Sequence, residues 1–194
     1  MTRPKCDKEL KKYQKECLRQ KMMDEVCTMA NAEGWETIST RKLAEKIDYS
    51  TIKIYEEFGS KEGILVELQK TGFLELRSYV SRAEEKSTVP VEKIRNVSQA
   101  VWEFANSKPE SFQIMFGIKG APCTESLSKN THEYRQFLIG KLVEAYPDGS
   151  KSLLFNWCVL IYGFISIGTE KCFCREEMDQ MFTEAIDRFL STIE

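Results

Sequence analysis

Apolar and polar positions recur along the chain with the period of a helix. In the first segment, 8–33, the apolar positions have the i, i+4, i+7, i+8 spacing that places side chains on one helix face; they are Met22, Val26, Met29 and Ala30. Gly34 follows this segment, and glycine commonly ends a helix. No convincing stretch alternates as a half-buried strand does. The pattern therefore predicts an all-α protein.

Prolines, glycines and capping residues divide the rest of the chain into further helices. Pro90 and Pro109 suit the first turn of a helix, and the run Pro147-Asp148-Gly149 stops one. Further helices are predicted at 61–85, 89–106, 125–146, 152–170 and 175–192, with a short one at 109–116. With the first segment and two short helices near residue 50, the sequence predicts about nine helices.

Two short helices are predicted between residues 39 and 58, on either side of a break at Asp48-Tyr49. Ser39 and Ser50 can cap them by accepting hydrogen bonds from the first turn. The inward-facing apolar residues are Leu43, Ala44 and Ile47 in the first helix, and Ile54 and Phe58 in the second. Gly59 allows the chain to reverse, and Ser60 can cap the next helix. This is a helix-turn-helix, whose second helix can enter the major groove of DNA.

Residues 34–63 resemble the DNA-binding segment of the tetracycline repressor (TetR) family of bacterial transcription regulators. The resemblance is in register, without a gap, at Gly34-Trp35, Ser39-Thr40, Arg41-Lys42-Leu43-Ala44, Ser50, Tyr55, Phe58 and Ser60-Lys61-Glu62. It implies a three-helix DNA-binding domain over 1–61 and a larger helical domain for dimerisation and effector binding over 62–194. The function it implies is a sequence-specific regulator, in the form of a ligand-released repressor.

The second short helix holds the candidate reading residues. Lys53 is its only basic side chain, and Thr51 and Lys53 lie near its start, where base edges would be read. By resemblance, phosphates of double-stranded DNA would be held by other residues of the same segment. The predicted DNA-binding set is Thr40, Arg41, Ser50, Thr51, Lys53, Tyr55 and Lys61.

Glu56 and Glu57 depart from the family pattern. Two carboxylates near phosphates would repel them, one could accept from cytosine N4, or both could face away. If they mark a loss of DNA binding, the chain would be a helical adaptor, which is the first alternative hypothesis.

The resemblance also implies a cavity for a small apolar effector in the larger domain. The aromatic residues expected to line it are Trp102, Phe112, Phe116, Trp157 and Tyr162, with Phe164 beside them. The alternative interpretation is that these rings form the ordinary hydrophobic core.

The two last predicted helices indicate a homodimer. No residue between Ser152 and Thr169 is charged, and a helix apolar on all sides is buried on all sides. The segment is short for a membrane span and contains Asn156 and two glycines, so we do not expect it to cross a membrane. The predicted dimer contacts are Trp157, Ile161, Met178, Phe182, Ile186 and Phe189. Two-fold symmetry would require a near-palindromic operator.

Composition agrees with a globular protein and locates the basic charge. The sequence is 42% hydrophobic and 30% charged, with a formal net charge of −2. Residues 1–61 carry 13 Lys and Arg against 11 Asp and Glu, a net charge of +2, whereas the remainder carries 15 against 19, a net charge of −4. Lysines of the first helix account for much of the positive charge, either as a solvated face or as contacts to DNA phosphates.

Sequence features of enzymes and exported proteins are missing. The N-terminus is charged throughout, which is unlike a secretory signal, and the seven cysteines form no closely spaced framework, so we expect reduced thiols in a cytoplasmic protein. His132 is the single histidine and lies in a polar stretch, so no catalytic, metal or cofactor site is predicted. Cys172 and Cys174 leave open a second alternative, a thiol redox-sensing regulator.

Overall fold

A computed structural model of the chain describes residues 7–116, 125–147, 151–168 and 173–192. The described residues are all-α. The helices are α1 Asp7–Glu33, α2 Thr40–Ile47, α3 Thr51–Phe58, α4 Lys61–Glu84, α5 Pro90–Ser107, α6 Pro109–Phe116, α7 Glu125–Ala145, α8 Lys151–Gly168 and α9 Arg175–Leu190, with a 3-10 turn at Trp35–Thr37. Each helix predicted from the sequence is present, with ends shifted by at most two residues.

The chain divides into two compact units, one up to Lys70 and the other from Thr71. The division falls inside α4, while the boundary predicted after Lys61 coincides with the start of that helix. The first unit therefore contains α1, α2, α3 and the beginning of α4.

The core of the first unit is built from one face of each of its helices. α1 contributes the stripe predicted from its spacing, and the short helices contribute their inward residues. These side chains are at most 4% exposed: Met22, Val26, Met29, Ala30, Leu43, Ala44, Ile47 and Ile54. Their burial holds α2 and α3 against α1, since apolar area removed from water is the main source of stability.

The core of the second unit is rich in aromatic rings. Trp102 of α5 stacks on Phe182 of α9 with ring centres 4.7 Å apart. Trp157 of α8 donates its indole N–H to the Ser98 hydroxyl of α5 over 2.9 Å, and Ser98 in turn donates to the carbonyl of Ile94. The buried polar atoms of this contact are thus hydrogen-bonded, as buried polar groups generally are.

None of the described helices is long and apolar enough to cross a membrane, and this includes α8.

Candidate nucleic-acid interface

The turn between α2 and α3 is fixed by local hydrogen bonds. Ser39 accepts from the backbone N–H of Lys42 over 3.1 Å, and Ser50 accepts from that of Lys53 over 3.3 Å. Asp48 ends α2 in the left-handed region, with φ +58°. Aspartate tolerates this conformation better than most residues because its short polar side chain can hydrogen-bond locally. The predicted caps and break of the helix-turn-helix are confirmed.

The turn between α3 and α4 depends on two glycines. Gly59 has φ +73°, so the predicted reversal is present. Gly63 was not singled out from the sequence, yet a Cβ built there would lie 1.8 Å from the carbonyl oxygen of Phe58. Only a residue without a side chain lets the first turn of α4 approach the end of α3 so closely.

α3 presents a mixed polar and apolar face to solvent. Thr51 and Glu56 are exposed, and Tyr55 is 52% exposed. Ile52 is 69% exposed and was missed by the sequence reasoning. The sequence does indicate that Ile52 is exposed. Ile54 and Phe58 define the inner face of α3, and Ile52, two residues before Ile54, lies on another side of the helix. An exposed apolar side chain here can contact a thymine methyl group.

The residues predicted to hold phosphates lie at the surface around α3. The Thr40 hydroxyl donates to the Tyr55 hydroxyl over 3.4 Å, which brings the start of α2 and the middle of α3 together. Arg41 is paired with Glu45 at 3.0 Å. Lys61 donates to the carbonyl of Glu36 over 3.0 Å. Thr40 and Lys61 are also the first residues of α2 and α4, and helix N-termini favour anions.

Lys53 is held by a carboxylate of its own helix. Its ammonium lies 2.8 Å from Glu56 and 4.0 Å from Glu57. The hydrogen bond with Glu56 raises the pKa of Lys53 and lowers the pKa of Glu56. The only cation of α3 is therefore already partnered in the DNA-free protein.

Glu57 faces α1, whereas Glu56 is exposed. The Glu57 side chain is 2% exposed and lies 3.6 Å from Lys15 and 3.7 Å from Arg19. Arg19 also donates to the backbone carbonyl of Glu57 over 3.0 Å and pairs with Glu67 at 3.1 Å. The sequence left open whether these carboxylates would repel phosphates, accept from a base or face away from DNA. Because the Glu57 side chain faces α1, it takes the last of these arrangements. This carboxylate positions α3 on α1.

The basic face of α1 lies beside the start of α3. Four lysines and two tyrosines line an open cleft of about 620 Å³ at this position: Lys11, Lys15, Lys21, Lys53, Tyr13 and Tyr49. Lys21 donates to the carbonyl of Ile47 over 3.3 Å and lies 5.7 Å from the Tyr49 ring centre. Positive charge from α1 is thus placed next to the α3 surface that would face DNA.

No family model matches the sequence, but several solved structures have the same fold. A TetR-family transcriptional regulator of Streptomyces coelicolor, SCO4454, has a TM-score of 0.75 and 15% identity over 90% of this chain and 94% of its own. The fatty acid degradation regulator FadR of Bacillus halodurans has a TM-score of 0.69 and 14% identity over 97% of both chains. The fold is that of the TetR-family regulators.

A protein of unknown function from Rhodococcus sp. RHA1 shares this TetR fold, with a TM-score of 0.77 and 20% identity over 90% of this chain and 94% of its own. Among curated sequences, the nucleoid occlusion factor SlmA of Vibrio vulnificus is 31% identical over 93 residues. That match covers 46% of this chain and 45% of SlmA, so the chain spans about half the length of the curated relative it matches.

The aromatic residues predicted to line an effector cavity pack in the core of the TetR-like second unit. The rings of Phe112 and Phe116 are 4.4 Å apart, and Phe116 and Tyr162 are 5.0 Å apart. Trp102 and Trp157 are at most 1% exposed and contact Phe182 and Ser98. Of the five, Tyr162 lines a cavity described below; for the other four, which pack against core side chains, the role as cavity lining stays a prediction.

A cavity of about 690 Å³ lies between α7 and α8. Tyr162 is the one predicted residue that lines it; the others are Arg135, Gln136, Ile139, Leu154, Phe155, Cys158 and Val159. These residues were missed because they follow no single helical stripe and come from two helices.

Most of the predicted dimer contacts are buried within a single chain. Five of the six are at most 5% exposed within one chain: Trp157, Ile161, Met178, Phe182 and Ile186. They belong to the core of their own chain, so they do not form a surface for a second copy; Phe189 is half-buried. The apolar surface of α8 consists of other residues, with exposed fractions of 68% for Phe155, 52% for Val159 and 49% for Ile167.

Cys172 lies outside the described residues, and Cys174 is exposed at the start of α9. The thiol of Cys174 accepts a hydrogen bond from the Glu177 backbone, which lowers its pKa. The nearby carboxylates of Glu177 and Glu176, with desolvation, outweigh that contact and leave the pKa of Cys174 raised. A raised pKa disfavours the reactive thiolate, so this position gives no support to a redox sensor.

Proposed function

We propose that this chain is a sequence-specific DNA-binding transcriptional regulator. The observation that carries the proposal is α3, a helix of eight residues bounded by the Ser50 cap and Gly59. Its outward face presents Thr51, Ile52 and Tyr55. A short, capped, exposed helix after a tight turn is the element that helix-turn-helix proteins insert into the major groove. The likeness of 90% of the chain to a solved TetR-family regulator supports the same function.

Recognition divides between base edges and phosphates. Thr51, Ile52 and Lys53 read bases, since threonine can bond or touch any base edge, isoleucine fits a thymine methyl group and lysine donates to guanine. Thr40, Arg41, Ser50, Tyr55 and Lys61 hold the backbone around them. The α1 lysines extend the phosphate contact, which makes binding salt-dependent.

The regulator acts as a homodimer on a near-palindromic operator. The exposed apolar row on α8, formed by Phe155, Val159 and Ile167, is the surface that a second copy covers. Exposed apolar patches of this kind mark association sites. Two reading helices related by a two-fold axis meet successive major grooves about 34–36 Å apart. Such a protein acts in the cytoplasm, where bacterial DNA lies, represses by blocking a promoter and is not an enzyme.

A helical adaptor without DNA binding is the second candidate function. It is favoured by one observation, the pairing of Lys53 with Glu56 over 2.8 Å, which lowers the positive charge available on α3. The two functions differ in whether a specific DNA complex forms.

A mobility-shift assay with the DNA flanking the protein's own gene distinguishes the DNA-binding regulator from the helical adaptor. We expect a retarded complex that survives an excess of random-sequence DNA and weakens as salt is raised. If the flanking DNA and random DNA compete equally at every salt concentration, sequence-specific binding is rejected and the adaptor remains.

A further inference from the structure

The cavity between α7 and α8 has apolar walls and one charged edge. Ile139 of α7 and Leu154, Phe155 and Val159 of α8 supply the apolar walls, and Arg135 supplies the charge. Its volume of about 690 Å³ falls in the range of cavities that hold drug-sized ligands, about 300–1,000 Å³. The space therefore suits an organic molecule with a substantial apolar body.

The Tyr162 hydroxyl is an unused hydrogen-bonding group at this cavity. Tyr162 lines the cavity, and its hydroxyl oxygen is fully buried with no hydrogen-bond partner among the described residues. Burial raises the pKa of Tyr162, while the charge of Arg135 and its side-chain contact with the hydroxyl act in the opposite direction, so the hydroxyl keeps its proton and is available as a donor. A buried polar group without a partner costs free energy, and a ligand that supplies an acceptor recovers it.

Arg135 provides the complementary charge beside that hydroxyl. Its guanidinium lies 5.8 Å from the centre of the Tyr162 ring. Arg135 is exposed and forms no ion pair with a carboxylate of the described residues. Guanidinium is the group best suited to bind a carboxylate with two parallel hydrogen bonds.

We propose that the α7–α8 cavity binds an apolar monocarboxylate, whose carboxylate accepts hydrogen bonds from Arg135 and the Tyr162 hydroxyl while its hydrocarbon body contacts Ile139, Leu154 and Val159. This replaces the wholly apolar effector expected from the sequence with an anionic one. Its role as an effector rests on the proposed function, but binding itself does not. Phe155 and Val159 lie on both the cavity wall and the exposed row of α8, so an occupied cavity changes the surface that a second copy would meet.

Isothermal titration calorimetry on the full chain, without DNA, tests the binding. The probes are hexanoate, decanoate and 2-naphthoate, with decan-1-ol as the uncharged match for decanoate. We expect at least one carboxylate to bind, and decanoate to bind about tenfold to a hundredfold tighter than decan-1-ol because charged hydrogen bonds are lost with the alcohol. Absence of binding by all three carboxylates, or equal binding of decanoate and decan-1-ol, overturns the proposal.

Two variants and one control assign the groups. Arg135→Gln should weaken the tightest carboxylate by about tenfold and leave decan-1-ol unchanged, and Tyr162→Phe should also weaken the carboxylate by about tenfold. Tyr134→Phe is the matched control, because the Tyr134 hydroxyl is also buried without a described partner but does not line the cavity. Circular dichroism confirms that each variant is folded. The assigned site is wrong if Tyr134→Phe weakens carboxylate binding as much as Tyr162→Phe does. It is also wrong if neither Arg135→Gln nor Tyr162→Phe weakens that binding.

A second measurement keeps this proposal separate from DNA binding. With an operator identified, a carboxylate concentration that fills the site of the wild type but not that of Arg135→Gln should change the operator affinity of the wild type and leave that of the variant unchanged. Carboxylate binding without any DNA complex would retain the site and reject the proposed function. A DNA complex without carboxylate binding would retain the proposed function and reject the carboxylate site.

Discussion

The exposed ion pair between Lys53 and Glu56 sets the charge that α3 offers to DNA. Replacing Glu56 with glutamine removes the charge partner of the Lys53 ammonium, and with it a negative charge on the side that would face DNA phosphates. We expect Glu56→Gln to bind the operator about twofold to fivefold tighter, the size typical of an exposed pair. Fluorescence anisotropy at fixed salt measures it.

Glu184→Gln is the control for this variant, since Glu184 forms a similar exposed pair with Arg188 on α9, away from α3 in sequence. It should leave operator affinity unchanged. Weaker binding by Glu56→Gln would instead mean that Glu56 accepts from a base, such as cytosine N4.

Lys53 and Lys61 should differ in the kind of DNA contact they make. Lys53→Ala removes a donor at the reading face, so we expect it to relax base preference at one position of each half-site, with a loss of about tenfold to a hundredfold there. Lys61→Ala removes the proposed phosphate contact at the start of α4, so it should weaken all sequences alike and reduce the salt slope by about one. Binding to a set of operator variants at several salt concentrations measures both.

An unchanged base preference in Lys53→Ala would place the reading face elsewhere on α3. The exposed side chain of Ile52 is then the next residue to test.

At the scale of elements, the close approach of α3 and α4 depends on a missing side chain. Gly63→Ala places a Cβ 1.8 Å from the carbonyl oxygen of Phe58, a backbone atom that cannot turn aside. We expect the variant to lose about 1–3 kcal/mol of unfolding free energy in the first unit, as overpacked sites do. Calorimetry measures this, because two units can unfold in separate transitions.

Gly140 of α7 is the control for this substitution, because it is also a glycine within a helix. A Cβ built there meets nothing within 4 Å, so Gly140→Ala should stabilise α7 by about 0.5–1 kcal/mol through helix propensity alone. Equal stability of Gly63→Ala and the wild type would show that α4 can begin without this close contact.

At the scale of the whole molecule, the proposed dimer would form through the outward residues of α8. Val159 lies between Phe155 and Ile167 in the exposed apolar row, so Val159→Glu buries a charge in the proposed dimer contact. Burying an unpaired charge is strongly unfavourable. We expect the variant to be monomeric by light scattering at micromolar concentration and to lose operator binding.

Leu74→Glu is the control, because Leu74 is 69% exposed on α4 and is not part of the α8 row. It should remain dimeric. A charge at Phe182, within the interface predicted from the sequence, would be uninformative, since Phe182 is 0% exposed and its loss disrupts the core. A monomeric wild type with undiminished operator affinity would contradict the dimer.

Local interactions explain why so much of the helix-turn-helix was predictable. The Ser39 and Ser50 caps, the left-handed Asp48 and the Gly59 reversal involve atoms within a few residues of one another. The apolar stripe of α1 follows from helix geometry alone. These features were therefore determined by the order of residues, and with them the all-α class and the helix bounds.

Tertiary packing decided which of two similar side chains is buried. Glu56 and Glu57 are adjacent and chemically alike, but only Glu57 meets Lys15 and Arg19 of α1. On α8, Trp157 enters the core while Phe155 stays outside, although both are aromatic and the helix carries no charge between them. Burial depends on neighbours distant in sequence, since apolar area is removed from water only where another element covers it. A helix with no charged residue beyond its first position has no side clearly marked for solvent, and the packing of its neighbours decides which side that is.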